Sequence, residues 1–143
     1  MTKIKIFVDC SFWLAFANKE DILHQQSLSF AQNKRVSQAI LFTSDHVVDE
    51  TLTRLKKKVS ARAAFLFYEA LQRKMKENNL TLLLINQETF NKAYKIFKNN
   101  PIPKSFSFTD AGIVALMKAH KIKTVLTFDE DFKKIKPKIQ VFS

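Results

Sequence analysis

Five short apolar runs, separated by longer stretches with helical spacing, restrict this chain more than any other feature of its sequence. Residues 4 to 8 (IKIFV), 39 to 43 (AILFT), 80 to 85 (LTLLLI), 124 to 127 (TVLT) and 138 to 142 (KIQVF) read as buried strands. Helical patterns fall near 11 to 17, 21 to 36, 45 to 57, 60 to 78, 87 to 99, 109 to 120 and 129 to 134. Strands that alternate with helices need crossover connections, which give a parallel sheet covered on both faces. The expected fold class is therefore α/β, a three-layer α/β/α sandwich with a central, mainly parallel sheet of four to five strands. At 143 residues, one domain over 1–143 suffices.

Several function classes drop out early. The single glycine, Gly112, falls inside a predicted helix, so a P-loop, a GxGxxG turn and a GxSxG elbow are all excluded. The opening IKIFVDCSFWLAFA carries Lys5 and Asp9, is too short to span a bilayer and lacks a small-residue cleavage site after it. It reads as a strand and a helix, with no membrane partner. One cysteine, Cys10, gives neither a disulfide nor a metal-binding spacing, fits a cytoplasmic location, and is expected to fill the core.

The formal net charge is +11, yet eight of the 13 acidic residues gather in four clusters: Asp9; Asp45, Asp49 and Glu50; Asp110; and Asp129, Glu130 and Asp131. In an open parallel sheet, ligands bind beyond the carboxyl ends of the strands. Asp9 directly follows IKIFV, and Asp129 follows TVLT after one residue, so both stand at that edge. Carboxylates brought together there need protonation, basic partners or a divalent cation to relieve their repulsion.

Asp110 follows Thr109, which reads as a helix N-cap, and heads an apolar stripe of Ile113, Val114 and Met117. An acid in a first helical turn contributes about 0.3–1 kcal/mol wherever it points. The stripe turns Asp110 inward, which favours a site over capping alone. On the helix from 45 to 57, Asp49 and Glu50 border the stripe of Val47, Val48, Leu52 and Leu55 on opposite sides, so periodicity does not choose between them. A pairing of Glu50 with Arg54 one turn on is the simpler role.

These segments carry a family resemblance. FVDCSFWLAF resembles the first motif of PIN-domain ribonucleases, the group that includes the VapC toxins of toxin–antitoxin pairs. TSDHVVDETL, FTDAGIVALMKAHKI and VLTFDEDF match later motifs in order, so the likeness spans essentially the whole chain. The resemblance implies a PIN-like fold and a metal-dependent endoribonuclease, with Asp9, Glu50, Asp110 and Asp129 as its acidic site. It implies Mg²⁺ or Mn²⁺ as cofactor, with Asp9 and Asp110 as central ligands and Glu50 and Asp129 completing the set. Asp131, two residues on, is the substitute or supplement to Asp129. Ser11, Thr127 and Thr109 are the supporting hydroxyls, and the resemblance selects Glu50 over Asp49. The implied partners are RNA, a cognate antitoxin and a second copy of the chain. Asp49 beside Glu50, and the long helical middle from 60 to 78, depart from a minimal toxin.

The chemistry suits such acids. Phosphodiester hydrolysis requires an activated water and relief of charge on phosphate and leaving oxygen, which cations held by carboxylates supply. Arg54, Lys57 and Lys58 in RLKKKVSAR, and Lys104 before Asp110, are candidate RNA contacts. Phe12, Trp13 and Phe16 read as core and His24, His46 and His120 as ordinary surface or helix residues, while the resemblance implies a dimer face at Phe65, Phe67 and Tyr68. Aspartyl phosphoryl transfer is disfavoured. A dehalogenase-like site needs an acid where Ser11 stands, and a receiver site needs one after LLLIN. The alternative is a PIN-like module that binds RNA or a protein without cutting.

Overall fold

The computed structural model describes residues 3–99, 102–135 and 139–142. Its elements run β1 (Lys5–Val8), α1 (Cys10–Ala17), α2 (His24–Gln32), α3 (Lys34–Ser37), β2 (Ile40–Ser44), α4 (Asp45–Lys58), α5 (Ala61–Lys76), β3 (Leu80–Leu83), α6 (Gln87–Lys98), α7 (Phe108–Ala119), β4 (Thr124–Leu126), a 3-10 turn (Glu130–Lys134) and β5 (Gln140–Val141). The five strands are all parallel, in the order β3-β2-β1-β4-β5. This is the three-layer α/β/α arrangement that the alternating runs predict.

The central strand explains itself. Ile6, Phe7 and Val8 are buried without alternation, as a parallel strand covered on both faces requires. Phe7 lies opposite Phe42 of β2 and Val125 of β4. A buried polar chain locks α1 over this sheet: the Trp13 indole N–H donates to the Thr43 hydroxyl (3.2 Å), which donates to the Val8 carbonyl (3.1 Å). Trp13 packs edge-on against Phe67 of α5, with ring centroids 5.6 Å apart. Phe12 stacks on Phe16 and Phe128, so the first aromatics are core, as expected.

Several boundaries shift for local reasons. The helix expected over 21 to 36 starts at His24 and breaks at Asn33, which adopts extended backbone and caps α3 by accepting from the Arg35 N–H. The strand expected to reach residue 85 ends at Leu83, because the Ile85 N–H turns to the Asp45 carboxylate (3.1 Å) rather than to the ladder. The helix expected over 129 to 134 is a 3-10 turn. Phe67 is 8% exposed and belongs to the core, whereas Phe65 and Tyr68 of the expected dimer face remain exposed. Residues 100 and 101 of the expected loop, and Lys138 of the last expected strand, lie outside the described residues. Among the described residues no helix is long and apolar enough to cross a membrane.

Candidate active site

Asp9 leaves the carboxyl end of the central strand and immediately caps α1, its Oδ1 accepting from the Cys10 N–H at 2.6 Å. Only 4% of the residue is exposed. Its Oδ2 accepts from the Thr127 hydroxyl (2.7 Å) and from the Ser11 hydroxyl (3.2 Å). Those two hydroxyls stand 3.0 Å apart, and each accepts a backbone N–H from the chain after β4: Phe128 to Ser11 (2.9 Å) and Asp129 to Thr127 (3.0 Å). The buried carboxylate is thus held by three neutral donors. Burial pushes its carboxyl above the ordinary aspartate value; the bonds from Thr127, Cys10 and Ser11 oppose this, and the charge of Asp129 adds to it.

Thr127, just past the end of β4, ties that end to the residue just past β1 by a side-chain hydrogen bond. Thr127→Val is expected to cost about 1–3 kcal/mol, because it strips a donor from a buried carboxylate and an acceptor from the Asp129 N–H. Thr127→Ser keeps the hydroxyl and should retain most of the stability. Urea unfolding of the three proteins reads this directly, and a Val variant as stable as the parent would disprove the bracing role.

Asp110 is the third residue of α7 and forms a capping box with Ser107. The Ser107 hydroxyl accepts from the Asp110 N–H (3.0 Å), and the Ser107 N–H donates to Asp110 Oδ2 (2.9 Å). Ser107, not Thr109, is therefore the N-cap. The signal was present as Ser-x-x-Asp in SFTD, one turn-spacing that outranks a threonine directly before the acid. Burial pushes the Asp110 carboxyl up to about 6; the Ser107 N–H opposes this, and the charges of Asp9 and Asp129 reinforce it.

Asp129 caps the 3-10 turn by accepting from the Asp131 N–H (2.9 Å), and its charge acts on both Asp9 and Asp110. Asp131 is engaged elsewhere. The Ser105 hydroxyl donates to it, Lys134 lies 3.3 Å away, and together these hold its carboxyl below the ordinary value. Glu50 is half-buried on α4 with Arg54 at 3.8 Å, while Asp49 is exposed. The charge of Glu50 reaches Cys10, whose thiol is pushed up to about 11, chiefly by burial, and is thereby no nucleophile. Asp45 is structural, accepting from the His46 and Ile85 N–H groups.

Arg54 and Lys58 line a groove together with Ser11, whereas Lys57 and Lys104 are simply exposed. Among the described residues, no three carboxylate, imidazole or thiol groups stand as a ready-made ligand set. The donor chemistry nevertheless fits a hard divalent cation. The charge of Asp129 raises the proton affinity of Asp9 and Asp110, that of Asp9 adds to it at Asp110, Asp9 has no cationic partner among the described residues, and every group on offer is oxygen.

A family model described as the PIN domain matches residues 6–137. A VapC ribonuclease of Archaeoglobus fulgidus is 27% identical over 126 residues, which cover 87% of this chain and 77% of that protein. The 23S rRNA-specific endonuclease VapC20 of Mycobacterium tuberculosis is 30% identical over 128 residues, 89% of this chain and 91% of that one. The crystal structure of VapC20, described as a sarcin–ricin loop cleaving toxin, superposes with a TM-score of 0.75 at 26% identity, covering 90% of this chain and 93% of that chain.

Proposed function

The chain belongs to the PIN domain family, and from that premise we propose that it is a divalent-metal-dependent endoribonuclease and the toxin of a toxin–antitoxin pair. The observation that carries the reading is the buried, uncompensated Asp9 beside Asp110 and Asp129 at the carboxyl edge of a parallel sheet. Asp9 and Asp110 would hold Mg²⁺ or Mn²⁺, with Glu50 and Asp129 completing the set and Asp131 remaining with Ser105. The cation, when bound, supplies charge relief at the phosphate and lowers the proton affinity of a water.

The chain's own residues do the rest. Ser11 and Thr127 fix Asp9 in one orientation, so its charge needs no rearrangement during the reaction. Glu50, half-exposed on α4, would orient or deprotonate a water. Arg54 and Lys58, in the groove that Ser11 also lines, and the exposed Lys57 and Lys104 would draw the phosphate backbone toward the acids. A cognate antitoxin is the expected protein partner.

The sarcin–ricin loop is the first substrate to test, since the M. tuberculosis relative is named for cleaving it. A labelled stem-loop and an unstructured RNA are incubated with Mg²⁺ or Mn²⁺, with and without EDTA, beside Asp9→Asn. Cation-dependent cuts lost in the variant support the reading. RNA that is bound but left intact supports the non-catalytic module instead.

A further inference from the structure

Between α4 and the first turn of α7 lies a cleft of about 410 Å³ walled by His46, Asp49, Glu50, Thr53, Arg54 and Thr109. Each of these side chains carries a polar or charged group beside its aliphatic stem, so the cleft offers hydrogen-bond and charge partners to a polar ligand of nucleotide size. His46, Glu50 and Arg54 follow at four-residue spacing and form one ridge along α4. The ridge faces Thr109, the residue directly before Asp110.

Two details say what the cleft can hold. Arg54 Nη1 lies 3.8 Å from Glu50, beyond hydrogen-bond reach, and both side chains are partly exposed. Such a pair contributes little, and the guanidinium fork keeps its donors for a phosphate. Thr109 is relieved of capping by Ser107, so its hydroxyl serves no helix-end N–H. The acids of the same wall repel a bare anion over part of the cleft. A sugar–phosphate satisfies both halves, its phosphate at Arg54 and its hydroxyls at the threonines and carboxylates.

Building on the ribonuclease reading, we propose that this cleft is a ribonucleotide subsite: it seats the nucleotide next to the scissile phosphate, with Arg54 on that nucleotide's phosphate and Thr109 on its ribose 2′-hydroxyl. Arg54 and Thr109 are positioning residues, and Thr109 is one point at which the site distinguishes RNA from DNA.

The test is binding of fluorescein-labelled single-stranded RNA and its all-deoxy counterpart to the full chain in EDTA, read by anisotropy. Arg54→Ala is expected to weaken RNA binding by about tenfold or more, as loss of a charge-assisted contact does. Arg54→Lys should recover only part of this, because an ammonium lacks the fork. Thr109→Val should weaken RNA binding by about threefold and leave DNA binding unchanged. Lys76→Ala, exposed at the end of α5, reports the general effect of losing one positive charge. The proposal fails if Arg54→Ala behaves like Lys76→Ala, if Thr109→Val weakens DNA as much as RNA, or if the parent binds no RNA. Cleavage is measured separately with Mn²⁺. A parent that binds RNA without cutting it overturns the nuclease reading and leaves the subsite to be decided by the binding series alone.

Discussion

Asp110→Asn is expected to reduce RNA cleavage by about 10²–10³-fold while leaving the protein folded, the cost typical of removing one charge-stabilising group from a reacting centre. The substitution is gentle on structure because the amide oxygen can still accept from the Ser107 N–H, and the Ser107 hydroxyl still receives the N–H of residue 110. Only the charge is lost. If Asp110 were no more than a helix-capping acid, that loss would cost stability of about 0.3–1 kcal/mol and no activity. Initial rates on labelled RNA at saturating cation, with a thermal melt of each protein, separate the two. Parental rates in the variant would remove Asp110 from the chemistry.

Without a divalent cation, the same carboxylate should make the protein less stable as the medium becomes less acidic. The folded state raises the Asp110 carboxyl from 3.8 to about 6, so it holds that proton more tightly than the unfolded chain does. Its contribution is fully present below the unfolded value and is lost as pH rises through about 6. Allowing for partial exposure, the loss amounts to about 1–2 kcal/mol. Asp9 acts with the same sign, while the lowered Asp131 acts with the opposite one. Denaturant midpoints in EDTA should therefore be compared between parent and Asp110→Asn, because groups common to both cancel. The variant is expected to gain on the parent as pH rises from about 4 to 7. Mg²⁺ or Mn²⁺ should close the gap by stabilising the parent, by about 2.7 kcal/mol at a hundredfold excess over its dissociation constant. Curves that stay parallel, with no response to cation, would contradict both the burial of charge and its use.

The sheet was legible in the sequence because each strand is an uninterrupted apolar run of the length a covered parallel strand needs, IKIFV above all. The placement of Asp9 and Asp129 at its edge followed from adjacency alone. Glu50 was not legible in that way. It and Asp49 flank the same stripe, and in space they differ only in degree, Glu50 being half-buried and Asp49 exposed. The Ser107 cap was written in SFTD but was obscured by a threonine closer to the acid. The break at Asn33 and the early end of β3 depend on contacts that single-segment patterns do not contain, notably the Asp45 carboxylate reaching a backbone N–H 40 residues away. His46 illustrates the same limit. It matches no ligand spacing, and its place in the cleft arises from α7 packing across α4.

The hydrogen bond from Thr127 to Asp9 closes a loop of 118 residues. Loop closure on that scale comes late in folding, since its entropy must be met before the contact returns anything. A nascent chain that has emerged only as far as α6 already carries Asp9 and Glu50, yet it lacks the strand that braces Asp9 and both remaining aspartates. The four-acid set is therefore complete only once translation has delivered residue 129, so a chain still being made does not yet carry it.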